Sequence, residues 1–254
     1  MAWRQQGRMS FGSAPAASVA VQSVTTIGNI VTANGFPPAW NIRADLNYAL
    51  GPGGGVASID DLSGNLRHFT EVVSSQQPLW LPSDANGYPA FQGDGVDDRL
   101  TNSWSHAAVT AGTASTHVWV ILVAAQDTWT ANDTLWSDGG LTIYQNTTSS
   151  GLRQYGGTGN GPQNNNWTGY KRIVANFTGS SSSYLWVGSV LVNGTSIGAG
   201  ASVTNSVLLA APGGVRFLNG RIAEAAAGFG DISPGAVAAV DAYCSARYGA
   251  SVLA

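Results

Sequence analysis

The chain has 254 residues, of which 11 are Lys or Arg and 14 are Asp or Glu, so 10% are charged and the formal net charge is −3, against about 25% charged in an average soluble domain. With 44% hydrophobic residues and nine tryptophans it has ample apolar surface to bury, which excludes disorder, and its few scattered cations exclude a phosphate-binding track for nucleic acid. No apolar run reaches the roughly 18 residues of a membrane helix, and a single cysteine, Cys244, excludes an intrachain disulfide and a cysteine-based zinc site.

Taken in chain order, residues 1–36 read as an N-terminal arm. Arg4 and Arg8 are not followed by an apolar stretch, so no Sec-type leader is predicted. Val19, Val21, Val24, Ile27 and Val31 alternate loosely with Ser and Thr, which predicts two short edge strands. Pro37-Pro38 marks a boundary, and a single domain is expected over 37–254. Short strands are predicted at 39–44, 56–60 and 88–92, separated by Gly-, Asn- and Pro-rich turns. Residues 118–123 read Val-Trp-Val-Ile-Leu-Val without a break, so both faces must be covered and this strand is central to a packed sandwich. Further strands are predicted at 134–136, 141–144, 170–177, 184–192, 207–209 and 220–227, with Asn193-Gly194 as a hairpin turn. Residues 147–168, rich in Gly and Asn, read as long loops. One helix is predicted near the C-terminus. Ser233 caps it, Pro234 opens it, Val237, Val240, Cys244 and Tyr248 share a face, and Gly249 ends it. Cys244 is then a buried, inert thiol. Many short strands and one helix predict an all-β sandwich.

Two segments are more specific. One reads Asp61-Leu62-Ser63-Gly64-Asn65-Leu66-Arg67-His68, and the other runs from Pro89-Ala90-Phe91 to Gly93-Asp94-Gly95-Val96-Asp97-Asp98. Together with Trp40 to Asp45 upstream and Arg221 to Glu224 near the end, they resemble concanavalin A-like lectin/glucanase domains, the laminin-G-like jelly rolls. The resemblance covers residues 37–250 in order and implies a jelly-roll β-sandwich with one C-terminal helix behind an N-terminal arm. His68 belongs to the first segment and is expected to be structural. The first segment also has a direct physical reading: Asp and Asn side chains hold nearby backbone amides, and Gly64 takes a positive φ. Asp94, Asp97 and Asp98 crowd three carboxylates into one turn. Either backbone amides and Arg99 brace that turn, or its oxygens form a Ca²⁺ site.

Enzymes of this fold resemble other retaining glycosidases in needing two nearby carboxylates. This chain has two glutamates, Glu71 and Glu224, far apart, and no Glu-x-Asp-x-x-Glu strand. His68, His106 and His117 are not accompanied by a Gly-x-Ser-x-Gly elbow. No catalytic residue is assigned and the protein is expected not to be an enzyme. Sugar recognition needs a flat aromatic face beside planar polar groups. The candidates are Trp129, Trp136, Tyr155 and Trp167 with Asp138, Asn164, Asn165 and Asn166, and Trp167 is preferred because three asparagines precede it. The competing reading places these tryptophans in the core or in a subunit contact.

Domains of this appearance are common in phage structural proteins. The resemblance therefore implies a virion surface protein, a capsid decoration, head fibre or tail component. It would dock on capsid or tail subunits through residues 1–36 and bind glycans. The alternative is an exported bacterial carbohydrate-binding module. A surface with so few charges is readily buried against copies of itself, so a homo-oligomer is plausible.

Overall fold

The structure, a computed structural model, describes residues 25–106, 116–146, 151–157, 159–165, 167–179, 183–194, 197 and 205–254. The described residues begin with helix α1 (Ile27–Ala33). Strands β1 (Pro38–Arg43), β2 (Tyr48–Leu50), β3 (Val56–Ile59), β4 (Phe69–Thr70), β5 (Leu79–Ala85), β6 (Tyr88–Asp94) and β7 (Leu100–Asn102) follow. Next come β8 (Val118–Gln126), β9 (Thr134–Ser137), β10 (Leu141–Gln145), β11 (Leu152–Gly156) and β12 (Gly159–Asn164). The series closes with β13 (Lys171–Phe177), β14 (Tyr184–Val187), β15 (Val190–Asn193), β16 (Ser206–Leu208), β17 (Asn219–Phe229) and helix α2 (Pro234–Tyr248).

The strands form two sheets. One runs β15-β14-β13-β8-β17-β6-β5, and β1 also pairs with β17. The first half of β17 pairs with β6 and its second half with β1, so these two strands lie end to end along one edge of β17. The other sheet runs β12-β11-β10-β9-β16-β7-β4-β3-β2. Strand β8 shows how the layers are held. Val118, Val120, Leu122 and Ala124 enter the core between the sheets, with Trp40, Phe69, Trp104 and Trp136. Trp119, Ile121 and Val123 enter a second core, beneath the helices. The unbroken apolar run is thus covered on both faces, as its pattern requires. The first sheet is capped by α1 and α2; among the described residues no helix covers the outer face of the second. No helix among the described residues is long and apolar enough to cross a membrane.

Helix α2 follows its sequence signals. Ser233 Oγ accepts from the Ala236 amide at 3.2 Å, Val237, Val240, Cys244 and Tyr248 are buried, and Gly249 has φ +87°. Three expectations are corrected. Ile27 and Val31 are helical, not in edge strands: Thr26 and Asn29 form a reciprocal capping box, and the helix packs on β1, β17 and α2. Residues 1–24, the rest of the expected arm, lie outside the described residues. Second, the expected strand over 184–192 is a hairpin turning at Gly188-Ser189, where Gly188 has φ +60° and a Cβ would meet the backbone of Leu253 at 2.9 Å. Third, the expected loops over 147–168 contain β11 and β12. Ile197 packs so closely on them that a Cβ on Gly161 would meet its Cγ2 at 2.3 Å.

The Asp61 segment is structural in detail. One carboxylate oxygen accepts from the amides of Asn41 and Ser63, both at 2.9 Å. The other accepts from the Ser63 hydroxyl at 2.8 Å and the Arg67 amide at 3.0 Å. Gly64 has φ +86°, and Asn65 Nδ2 donates to the carbonyls of Pro38 and Ala39. The motif thereby pins β1 in place.

Candidate functional site

Residues paired directly across a sheet share a face. In the open sheet the register aligns Asn160, Tyr155, Thr142, Ser137, Val207, Thr101 and Thr70 in one row across seven strands. The neighbouring row contains Tyr144 opposite Arg153 and Arg153 opposite Gln163. The alternation of β10 and β11 turns Leu141, Ile143 and Leu152 into the core and leaves Thr142, Tyr144, Arg153 and Tyr155 on the outer face.

Over β9–β12 this face carries a groove of about 660 Å³, within the range of small-ligand sites. Its floor is Thr142, Tyr144, Arg153 and Tyr155; Asn132, Asn146 and Asn160 flank it, and Pro212, Val215 and Arg216 from the β16–β17 connection wall it. Tyr155 is 37% exposed. Its hydroxyl donates to the Gly157 carbonyl at 2.8 Å, which holds the ring down at the groove edge. The Tyr144 hydroxyl donates to Asn160 Oδ1 at 2.9 Å, and the hydroxyls of Ser137 and Thr142 are 2.8 Å apart. Asp133, behind Asn132, is pushed up to about 6 by burial. Ala211 and Pro212 also border a second hollow of about 540 Å³ on the same face, where Glu71 pairs with Arg99 at 2.9 Å.

No protein-family model matches this sequence, and no curated protein matches it. Solved structures do. An arabinofuranosidase complexed with arabinofuranosyl-α-1,2-xylobiose aligns at TM-score 0.58 and 11% identity, over 90% of this chain and 65% of that one. The Trypanosoma rangeli sialidase in complex with sialic acid aligns at 0.57 and 8% identity, over 83% and 33%. The binding domain of Paraclostridial Mosquitocidal Protein 1 aligns at 0.54 and 9% identity, over 81% and 52%. The chain thus spans less than two thirds of each, and at these identities the likeness is one of fold. The fold is a concanavalin A-like jelly roll.

Within this jelly roll, one of the sequence-derived sugar-binding candidates, Tyr155, lines the groove. Trp136 and Trp167 are fully buried in the core. Trp136 Nε1 donates to Ser206 Oγ at 2.7 Å and Trp167 Nε1 to the Ala124 carbonyl at 3.4 Å, so neither offers a ring face to a ligand. Trp129 is half-buried against the same core. Asp138 is buried: its Oδ1 accepts from the Leu141 amide at 2.9 Å and its Oδ2 lies 2.5 Å from His106 Nδ1. Asn164 is buried with its Nδ2 donating to the Val190 carbonyl at 2.7 Å, and Asn165 is exposed at the end of β12, bonded to Gln163. Asn166 lies outside the described residues. Trp136 and Trp167, for all their polar neighbours in the sequence, thus belong to the core. Tyr144, Arg153, Asn160 and Arg216 were missed, and the legible signal for the first two was the period-2 alternation flanking Ile143 and Gln154.

Asp94, Asp97 and Asp98 bring carboxylate oxygens within 4.8 Å of one another. Asp94 Oδ1 accepts from the amides of Val96 and Asp97, and Asp98 Oδ2 from the Asp94 amide at 3.1 Å. Burial, reinforced by Asp94, raises the Asp98 carboxyl to about 7. Backbone amides brace the turn as expected, but Arg99 points to Glu71 and Gln76 instead.

Proposed function

We propose that the protein is a non-catalytic carbohydrate-binding jelly roll acting outside the cell or at a cell surface, and that its site is the groove over β9–β12. The observation that carries this reading is the composition of the groove: a half-exposed tyrosine ring, a second tyrosine beside it, and amides and hydroxyls spaced along a strand-built floor. Aromatic faces pack on the C–H side of sugar rings, while amides and hydroxyls fix the sugar hydroxyls. The glycan complexes of the arabinofuranosidase and the sialidase support a carbohydrate context for chains of this fold. The carboxylates of Asp94, Asp97 and Asp98 are proposed as a Ca²⁺ site that rigidifies the β6–β7 turn. Virion display through capsid or tail subunits, the narrower expectation from the sequence, gains no support from the compared structures. The exported glycan-binding module is the reading taken here.

A glycan array probed with the wild type and with Tyr155→Ala tests the proposal. Binding to a defined glycan class, lost in the variant and without release of reducing ends, is expected. Absence of any glycan binding, or binding undiminished in Tyr155→Ala, contradicts it. For the acidic turn, calorimetry should give a Ca²⁺ isotherm that Asp97→Asn abolishes.

A further inference from the structure

The described residues include eight arginines and the one lysine, and seven of these nine cations are already engaged. Arg43 and Arg247 both hold Asp45 at 2.6 Å, Arg99 holds Glu71 at 2.9 Å, Arg172 holds Asp241 at 2.6 Å and Arg221 holds Asp84 at 2.8 Å. Arg67 donates to the Ala39 carbonyl at 3.0 Å, and Lys171 to the carbonyls of Ser251 and Ala254. Arg153 and Arg216 are the two whose side chains have neither a carboxylate nor a hydrogen-bond acceptor among the described residues. Both line the same groove, and no acidic side chain among the described residues lines it with them.

Their settings differ in a useful way. Arg153 is half-buried on the floor beside Tyr144, and its Nε is shielded from solvent without an acceptor. Leaving a shielded guanidinium donor unpaired costs free energy, which an incoming anion would recover. Arg216 is exposed on the wall, but its backbone is fixed over β9, where its carbonyl accepts from the Thr134 amide at 3.0 Å. Arg153 thus lies in the floor and Arg216 lines the wall of the same groove. Guanidinium forks match carboxylate and sulfate oxygens in bidentate geometry. Two cations are too few to track a nucleic-acid backbone, and the surrounding amides and tyrosines suit sugar hydroxyls and ring faces.

We infer that the groove selects acidic glycans, saccharides carrying a carboxylate or a sulfate, with Arg153 and Arg216 gripping the anionic substituent. This rests on the glycan-binding reading above and narrows its ligand class. The test is an array of matched pairs: oligogalacturonate against its methyl ester, and a sulfated galactan oligomer against its desulfated form. The wild type, the double variant Arg153→Gln/Arg216→Gln and the double variant Arg153→Lys/Arg216→Lys are compared, each checked for folding by its thermal midpoint. The acidic member of at least one pair is expected to bind about tenfold or more tightly than its neutral partner, as charge-assisted hydrogen bonds would give. The preference should weaken with added salt, vanish in the Gln variant and persist in reduced form in the Lys variant. The pair that shows it distinguishes carboxylate from sulfate. Equal binding of acidic and neutral members, or a preference that survives the folded Gln variant, overturns the acidic selection while the glycan site stands. Binding to no glycan overturns both.

Discussion

Tyr155 and Trp167 separate recognition from stability at the level of single side chains. Trp167 is fully buried, so Trp167→Ala leaves a large void and should cost about 3–5 kcal/mol in urea unfolding. Tyr155 is 37% exposed, and Tyr155→Ala should change stability by about 1 kcal/mol or less while abolishing glycan binding. A Trp167→Ala protein that is fully stable but fails to bind would reverse these roles. Asp133 offers a pH test. Burial raises its folded value to about 6 from 3.8, so between these values the folded state keeps a proton that the unfolded chain has released. Stability should therefore fall as pH rises from about 4 to about 6. Asp98 adds the same sign up to about 7 in metal-free protein. Chemical denaturation in chelator at pH 4.5, 6 and 8 should show this decline, and Asp133→Asn should reduce it. A decline unaltered in the variant would show that Asp133 is not responsible.

Among the elements, α1 and α2 are fastened to the sheet through one buried carboxylate. Glu224 on β17 accepts from the Ile27 amide at 2.6 Å and from the hydroxyls of Tyr243 and Tyr248, each at 2.8 Å. Desolvation raises its carboxyl above the usual range, and these three donors with nearby Arg43 oppose that shift. Glu224→Ala leaves the Ile27 amide and the Tyr248 hydroxyl without this acceptor and should cost about 2–5 kcal/mol. Hydrogen exchange should show α1 and the C-terminal half of α2 losing protection before β8 does; simultaneous loss throughout would refute such a local fastening.

These same elements mark how far the sequence could be read. Strand β8 and helix α2 announce themselves, one by apolar residues on both faces and the other by cap, proline, period and glycine together. Helix α1 was hidden because it spans only Ile27–Ala33 and its capping box uses Asn29 where Glu or Gln is the usual signal. Strands β11 and β12 were hidden because polar Gln154 and small Gly156 and Gly161 stand at buried positions. The Gln154 amide donates to the Tyr184 carbonyl at 2.8 Å, and the glycines admit Ile197. Since β11 supplies half the groove floor, misreading it concealed the candidate site. Tyr155 was legible as an aromatic among polar residues; alternation could place Arg153 beside it on the same face, but its lack of a partner is a property of the fold.

At the scale of the whole molecule, the low charge acquires a spatial meaning. One sheet is roofed by helices, and the outer face of the other carries the groove with its tyrosines, amides and hydroxyls. Most described cations are committed to ion pairs or carbonyls that hold the body together, and the two that are not lie in the groove on that face. This face is proposed as the glycan-binding site. Amide chemical-shift mapping of the labelled protein, titrated with the best array ligand, tests it most directly. Shifts concentrated at Thr142, Tyr144, Arg153, Tyr155 and Asn160, with α1 and α2 unmoved, are the predicted result. Shifts concentrated on the helical side or at the β6–β7 turn, with β10 and β11 unmoved, would contradict it.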